Sequence, residues 1–339
     1  GDGTLKVWDL VRGQEVSTLS GHQEKITALA LWRERGRAMS GAEDGTLKVW
    51  DLERGQEVST LSGHQKKVTT VALWPERGWA VSASEDGTCK VWDLGRGEEM
   101  RTLTKRLSSW IADVILWPER SWAVLVPLED LECEVWDLET GQEVSILNAG
   151  TSFKAWSRAA LWPERGWAVF GTPFGTVQVW DLERGQQVQT FSGDSDTAIA
   201  MARAHVGFGS MEDNLAGGLL GPVTAVALWP ERGWVVAAFW NGSLKVWDLE
   251  TGAECHTLKG HDKLVTAVTV WPERGWAASA SEDGTIKVWG LERGECLASF
   301  RGESAFTVCA AVPGSRILAA GELKGRVHFL KLEKPGGII

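Results

Sequence analysis

The sequence predicts an all-β protein built from repeated four-stranded antiparallel sheets, and three observations lead to this prediction. Residues 45–52, with the sequence GTLKVWDL, recur along the 339-residue chain with small changes. Apolar and polar residues alternate within these segments, as they do in half-buried strands. Asp-Gly and Arg-Gly turns separate the segments at short intervals, which leaves no room for a helix of ordinary length.

The repeat has a nearly constant length. Its Trp-Asp pairs are separated by 42, 42, 44, 44 and 67 residues, and a further 42 residues lead to an altered copy, Trp-Gly. The pairs begin at Trp8, Trp50, Trp92, Trp136, Trp180 and Trp247, and the altered copy begins at Trp289. Self-similarity at such a period is typical of repeat architectures, in which each unit buries its apolar faces against its neighbours.

The second repeat shows the expected elements in order. Residues 68–74 form a first strand, and the turn Pro-Glu-Arg-Gly leads into a second strand at residues 79–84. Asp-Gly then leads into a third strand at residues 88–94, and Arg-Gly leads into a fourth at residues 98–103. Four antiparallel strands per repeat of this length are typical of a β-propeller blade.

Seven units contain the three inner strands, and these units end at Trp50, Trp92, Trp136, Trp180, Trp247, Trp289 and Leu330. The last unit lacks a fourth strand, and residues 14–20 read as an orphan fourth strand. We expect residues 14–20 to pair with residues 325–331, which would complete a seventh blade and remove two sheet edges. Residues 1–13 then carry a surplus strand of an upstream repeat. Residues 194–222 are an insertion or a rudimentary eighth blade within a single domain of residues 1–339.

Composition argues against several classes of function. The formal net charge of −10 and the pI near 5.2 disfavour nucleic-acid binding, which needs clustered positive charge. No apolar run approaches the ~20 residues of a membrane span. The five cysteines form no Cys-x-x-Cys pair, so we expect free thiols, no metal site and a cytoplasmic location. No phosphate-binding loop or other cofactor motif is present, and no cofactor is expected.

Gly-His, Ser, Asp and Trp-Asp recur together at fixed offsets, and this pattern resembles the WD40-repeat family over nearly the whole chain. The resemblance implies a buried hydrogen-bond network of His, Ser, Asp and Trp. The network residues would be His22, Ser40, Asp44, Trp50, His64, Ser82, Asp86, Trp92, His261, Ser279, Asp283 and Trp289. The same residues could be interpreted as three catalytic triads. A nucleophile repeated at equivalent buried positions has no access to substrate, so we predict a structural role, no catalytic residues and no enzymatic activity.

Partner-binding residues are expected where three consecutive units depart from the repeat. In this family one face displays the residue before each first strand and the residue before the turn Asp. Large side chains replace small or charged ones there, and the candidate partner-binding residues are Trp110, Pro173, Phe174 and Trp240. The same units have lost the network serine, which we expect to be replaced by Val126, Phe170 and Ala237. Exposed aromatic residues are typical interface anchors, and simple decay of the repeat is the alternative.

The predicted function is that of a non-enzymatic scaffold for protein–protein interaction, with a protein partner that the sequence does not name. The repeats with the sequence LKVWDLERG resemble the C-terminal WD40 sensor domains of bacterial signal-transducing NTPases of the NACHT or NB-ARC type. That resemblance implies signalling, ligand sensing and covalently fused upstream NTPase or effector domains. The alternative is a lectin-like, glycan-binding propeller, because the motif Trp-Pro-Glu-Arg-Gly-Trp recurs and could present a ring of tryptophans. Local turn packing by Arg and Trp is the simpler interpretation of that motif.

Overall fold

The structure, a computed structural model, describes residues 3–9, 14–104, 110–127, 132–148, 159–172, 175–193, 221–312 and 314–332. The chain divides into two compact units. The first comprises Gly1–Ala155 together with Leu182–Gly185, and the second comprises Trp156–Asp181 together with Gln186–Ile339. Both units consist of antiparallel sheets in which strands adjacent in sequence are paired.

The first unit begins with a two-stranded hairpin and continues with three four-stranded sheets. The hairpin contains β1 (Thr4–Asp9) and β2 (Gln14–Ser20). The three sheets contain β3 (Ile26–Trp32), β4 (Arg37–Ala42), β5 (Leu47–Asp51) and β6 (Gln56–Leu61); β7 (Val68–Trp74), β8 (Trp79–Ser84), β9 (Thr88–Asp93) and β10 (Glu98–Thr104); and β11 (Ile111–Trp117), β12 (Trp122–Pro127), β13 (Glu132–Asp137) and β14 (Glu143–Asn148).

The second unit has three four-stranded sheets and one three-stranded sheet. The four-stranded sheets contain β15 (Ala159–Trp162), β16 (Trp167–Gly171), β17 (Thr176–Asp181) and β18 (Gln186–Ser192); β19 (Val223–Trp229), β20 (Trp234–Phe239), β21 (Leu244–Asp248) and β22 (Glu254–Leu258); and β23 (Val265–Trp271), β24 (Trp276–Ser281), β25 (Thr285–Gly290) and β26 (Glu295–Arg301). The last sheet contains β27 (Phe306–Ala311), β28 (Ile317–Glu322) and β29 (Val327–Lys331).

Helical structure among the described residues is confined to single 3-10 turns after five of the first strands. They are Arg33–Arg35, Pro118–Arg120, Pro163–Arg165, Pro230–Arg232 and Pro272–Arg274. Proline at the first position of four of these turns fits the turn because its backbone φ angle is already helical.

The predicted all-β propeller fold class is confirmed, with seven sets of three inner strands, of which six have a fourth strand. The predicted pairing of residues 14–20 with residues 325–331 is wrong. Strand β2 pairs with β1, from Thr4 opposite Ser20 to Asp9 opposite Gln14. Strand β1 has the sequence of a third strand and is separated from β2 by only four residues, so closing this hairpin costs little chain entropy. Residues 194–220, which include most of the predicted rudimentary blade, lie outside the described residues.

Local sequence explains the turns and the strand irregularities that recur in the repeats. In the second repeat the Asp-Gly turn places Gly87 at a φ of 82°, a left-handed conformation that favours glycine. Each third strand that pairs with a fourth has a register shift just before or at its Trp, for example between Val91 and Trp92. Such β-bulges bend the strand and redirect its side chains.

The core lies between successive sheets within each unit. Between the first two four-stranded sheets, Trp32, Met39 and Leu47 pack against Val71 and Trp92. Equivalent clusters join each further pair of successive sheets inside a unit. A single sheet could not remove both of its apolar faces from water, so the sheets stabilise one another.

Candidate functional site

The second repeat brings its predicted network residues together. The Oγ of Ser82 lies 2.8 Å from the Nε2 of His64 and accepts a 2.8 Å hydrogen bond from the Nε1 of Trp92. On the other side of the ring, the Nδ1 of His64 lies 3.1 Å from Asp86. Asp86 also accepts hydrogen bonds from the backbone N–H and the hydroxyl of Thr88, at 2.8 and 2.6 Å. The network therefore joins the start of the first strand to the second strand, the turn and the third strand.

Two further copies have the same geometry. The distances from the His Nε2 and the Trp Nε1 to the Ser Oγ are 2.7 and 2.8 Å in both. The distance from the His Nδ1 to the Asp carboxylate is 3.4 Å in one copy and 2.9 Å in the other. In order, the copies are His22, Ser40, Asp44 and Trp50, and His261, Ser279, Asp283 and Trp289.

The sequence interpretation missed a threonine in each of these networks. The hydroxyls of Thr46, Thr88 and Thr285 lie 3.0–3.1 Å from the His Nδ1 and donate to the Asp carboxylate. The signal was present, because each of these threonines follows an Asp-Gly turn in all three repeats.

The geometry gives these serines no nucleophilic role. The side chain of Ser82 is fully buried, and its oxygen already contacts an imidazole and an indole N–H. A nucleophile has to reach a substrate carbonyl while a base accepts its proton, and no substrate can approach here. The network instead satisfies polar groups that would otherwise be buried without partners.

The network makes stability depend on pH. Burial lowers the pKa of His22, His64 and His261 below the ordinary value of 6.5, and the neighbouring aspartates offset this only in part. The unfolded chain therefore binds protons more readily than the folded chain. The stability that the neutral histidines contribute is complete above pH 6.5 and is lost as the pH falls through their folded pKa values.

We therefore expect the midpoint of urea unfolding to be lower at about pH 5 than at about pH 7.5. The histidines dominate this pH window. The carboxylates with a lowered pKa, such as Asp86 with a pKa of about 2, lose most of their contribution to stability at lower pH, because their ordinary pKa values are 4.5 or less. Burial raises the pKa of Asp86, and hydrogen bonds from Thr88 and the backbone of Gln65 outweigh it. The unfolding midpoint of the variant H64A should change less between these two pH values than that of the wild-type chain. An equal midpoint of the wild-type chain at both pH values would contradict the prediction.

In two units that lack the serine, the indole N–H of the Trp donates a hydrogen bond to a different acceptor. The Nε1 of Trp136 donates to the buried carboxylate of Glu134 at 2.9 Å, and that of Trp180 donates to Gln178 at 3.2 Å. In the complete networks a lysine occupies this position, two residues before the Trp. In these two units loss of the serine is accompanied by an acceptor on the third strand itself, whereas the unit with Ala237 keeps the lysine, Lys245.

The strand register corrects one of the predicted replacements. Ser82 pairs with Lys90 across the sheet, and in the next sheet Leu125 pairs with Glu134. Leu125 therefore replaces the serine, and the prediction of Val126 is wrong by one residue, because the connection between the second and third strands is one residue longer in this unit than in the second repeat. Phe170 and Ala237 occupy the predicted positions, opposite Gln178 and Lys245.

The three-stranded sheet contains a different polar cluster that the sequence did not reveal. The buried carboxylate of Glu322 accepts hydrogen bonds from the backbone of Glu303, the hydroxyl of Ser304 and the Nε2 of His328, at 2.9, 2.8 and 2.9 Å. Burial raises the pKa of Glu322, but these donors outweigh it and lower that pKa to about 2. The ring of His328 packs edge-on against Phe300 and Phe306.

The predicted partner-binding residues are placed as follows. Trp110 precedes β11, and this residue is 45% exposed. Trp240 is half-buried in the turn after β20, where its backbone N–H donates to the carbonyl of Pro222 at 3.0 Å. Pro173 and Phe174 lie outside the described residues.

Trp110 borders a groove of about 440 Å³ in the first unit. The groove is formed where three first strands begin, and its lining includes Lys25, Lys67, Glu85, Trp110 and Ile111. The Nζ of Lys67 lies 3.6 Å from Glu85, whereas Lys25 forms no ion pair with any residue that the structure describes. The groove therefore combines an exposed indole with one ammonium group, that of Lys25, which forms no ion pair with a described residue.

The recurring motif Trp-Pro-Glu-Arg-Gly-Trp packs locally. Its first Trp is buried and its second is half-buried, and the two rings meet edge-on, for example 5.5 Å apart in Trp74 and Trp79. Arg77 lies over both rings and pairs with Glu139 of the following sheet. Four of the motifs have this buried first ring with a guanidinium beside it.

The described residues offer little support for a metal site, a reactive thiol or a membrane-spanning helix. No group of three or more His, Cys, Asp or Glu side chains there is arranged to hold a metal ion. None of the five cysteines forms a disulfide, and burial raises the pKa of the Cys309 thiol to about 12, away from the reactive thiolate. None of the helical segments in the described ranges has the length and hydropathy that a membrane crossing requires.

Comparison with known proteins identifies the repeat. The family described as "WD domain, G-beta repeat" matches residues 13–51, 55–93, 213–248 and 252–290. Among solved structures the chain is similar to the computationally designed Ika8 protein, with a TM-score of 0.79 and 30% sequence identity over 98% of this chain and 91% of that one. A comparison with curated proteins found no match. From its repeats, its networks and these matches, the chain belongs to the WD40-repeat family of β-propellers.

Proposed function

We propose that this chain is a non-catalytic protein-interaction platform that binds a polypeptide at the groove beside Trp110. WD40 propellers are in general scaffolds for protein–protein interaction. The observation that carries the proposal is the exposure of a large indole at a groove in which the equivalent positions of the two preceding repeats hold lysines, Lys25 and Lys67. Exposed aromatic residues in concave sites are frequent binding anchors.

The chemistry of the groove suggests the kind of segment that it binds. The indole offers apolar surface, and the ammonium of Lys25 offers a positive charge that the described residues do not neutralise. A peptide with an apolar side chain a few residues from a carboxylate would satisfy both groups. Electrostatic complementarity of this kind favours specificity and fast association.

Selection of peptides tests the proposal without knowledge of the natural partner. A phage-displayed library of random peptides is selected in parallel on the wild-type chain and on the variant W110A. We expect the wild-type chain to enrich peptides that combine apolar and acidic residues, and the variant to lose them. Enrichment of the same peptides on both proteins would place binding elsewhere and contradict the proposal.

A more specific role, as the ligand-sensing propeller of a larger signalling protein, rests on the sequence resemblance alone. The coding sequence upstream of Gly1 tests it, because the resemblance requires a nucleotide-binding phosphate loop there. The lectin-like alternative is tested on a glycan array. Buried first tryptophans with Arg beside them favour local packing of the Trp-Pro-Glu-Arg-Gly-Trp motif over sugar stacking.

A further inference from the structure

The first strand of six of the sheets has a β-bulge at its second residue, which redirects the side chain at that position. Five of these bulge residues are threonines, and the sixth is Ala112, on β11. The threonines are Thr27, Thr69, Thr224, Thr266 and Thr307. The third four-stranded sheet therefore departs from the repeat at this position.

The threonine hydroxyls contact backbone carbonyl groups at the start of the strands. The Oγ of Thr27 lies 3.0 Å from the carbonyl oxygen of Gly41, on the paired strand, and 2.5 Å from that of Val68, in the next sheet. Thr69 donates to the carbonyl oxygen of Ile111, one sheet further along the chain, at 2.6 Å. These hydroxyls join β3 to β7 and β7 to β11, the three strands whose starts form the groove.

Ala112 gives this groove an apolar end. It follows Trp110 by two residues, and both side chains line the groove. A threonine would place a hydroxyl and a methyl group beside the exposed indole, whereas the alanine leaves that space open. Since β3, β7 and β11 lie in this order, Lys25, which precedes β3, is at the opposite end of the groove from Trp110.

We propose that Ala112 determines the specificity of the groove, where it forms with Trp110 a subsite for a large apolar side chain, such as leucine or phenylalanine. The carboxylate of the bound peptide would then lie at Lys25. This inference rests on the proposed function, since it requires a peptide in the groove. Between the two ends, the Nζ of Lys67 lies 3.6 Å from Glu85, so these two charges offset each other and the intervening peptide residues need no charge.

A double-mutant cycle between the chain and the peptide tests this inference. A peptide selected on the wild-type chain, and the same peptide with its apolar anchor replaced by alanine, are measured by fluorescence anisotropy on the wild type, A112T and W110A. The substitution Ala112→Thr restores the residue of the other repeats, so the unfolding midpoint should not fall. We expect A112T to bind the unchanged peptide about tenfold or more weakly, as a methyl-sized misfit in an apolar pocket does. It should bind the alanine peptide as well as the wild type does.

Two controls separate size from charge. A112V adds a similar volume without a hydroxyl and should weaken the binding of the unchanged peptide as A112T does. Replacing the acidic residue of the peptide by its amide should weaken binding to the wild type and to A112T equally, because Lys25 lies at the other end of the groove.

The outcomes distinguish this inference from the proposed function. If W110A loses the peptide while A112T and A112V bind it as the wild type does, the role of Ala112 is overturned and the proposed function stands. Equal losses on A112T for the unchanged peptide and the alanine peptide would also overturn it, because the anchor would then lie elsewhere. If W110A binds the peptide as the wild type does, the proposed function fails and the subsite fails with it.

Discussion

Replacing Trp92 by alanine is expected to lower the free energy of unfolding by about 3–5 kcal/mol, the range for truncation of a large buried aromatic residue. The indole is fully buried between the first two four-stranded sheets, where it packs with Trp32 and Leu47. Its N–H also donates to Ser82 at the centre of the network. The substitution would therefore leave a cavity between two sheets and remove one hydrogen bond inside a blade.

Urea unfolding, followed by far-ultraviolet circular dichroism, measures the effect. H64A gives a graded comparison, because it removes a network partner and a smaller volume, and it should cost about 1–3 kcal/mol. W110A is the matched control for the substitution itself and should leave the unfolding midpoint nearly unchanged. If W92A and W110A destabilised the chain equally, the assignment of Trp92 to the core between the sheets would be wrong.

The second large effect concerns binding. W110A is expected to weaken the binding of a peptide selected on the wild-type chain by about 2 kcal/mol, or roughly 30-fold in Kd, as truncation of an anchoring aromatic residue does. The reason is positional, since the exposed indole borders the groove and contributes nothing to the clusters that join the sheets. Isothermal titration calorimetry with the wild-type chain and the variant measures the difference.

Two further variants sharpen this test. K25E should weaken the binding of an acidic peptide while leaving the fold intact. It replaces the positive charge of Lys25, which forms no ion pair with a described residue, by a negative charge. V58D, far from the groove in sequence and exposed on an outer strand, should bind as the wild type does. Unchanged affinity in W110A and K25E together would show that the groove does not bind the selected peptide.

Much of the fold was predictable because it depends on local signals. The alternation of apolar residues and the Asp-Gly turns are properties of neighbouring residues, and they defined the strands of each repeat. The network of His64, Ser82 and Trp92 was also accessible, because three copies of one motif point to one shared geometry. Thr88 was not predicted, because a threonine after an Asp-Gly turn is also compatible with a role in the turn alone.

Other features required the tertiary structure, since they depend on pairing and packing between distant residues. Two segments with the pattern of a third strand, β1 and residues 325–331, could pair with residues 14–20. Only the structure shows that residues 14–20 pair with β1. The register of β12 decided that Leu125, not Val126, stands opposite Glu134, because a shift of one residue moves a side chain to the other face.

The sequence by itself determined the repeat, the strand order within each blade and the identity of the buried networks, since these follow from short-range patterns. The tertiary structure alone decided which side chains are left uncovered. Trp110, Leu29 and Leu31 are apolar residues like many others in the sequence, and their exposure depends on which neighbouring strands are present to cover them. Burial is a property of the packed sheets, and no alternation within one strand specifies it.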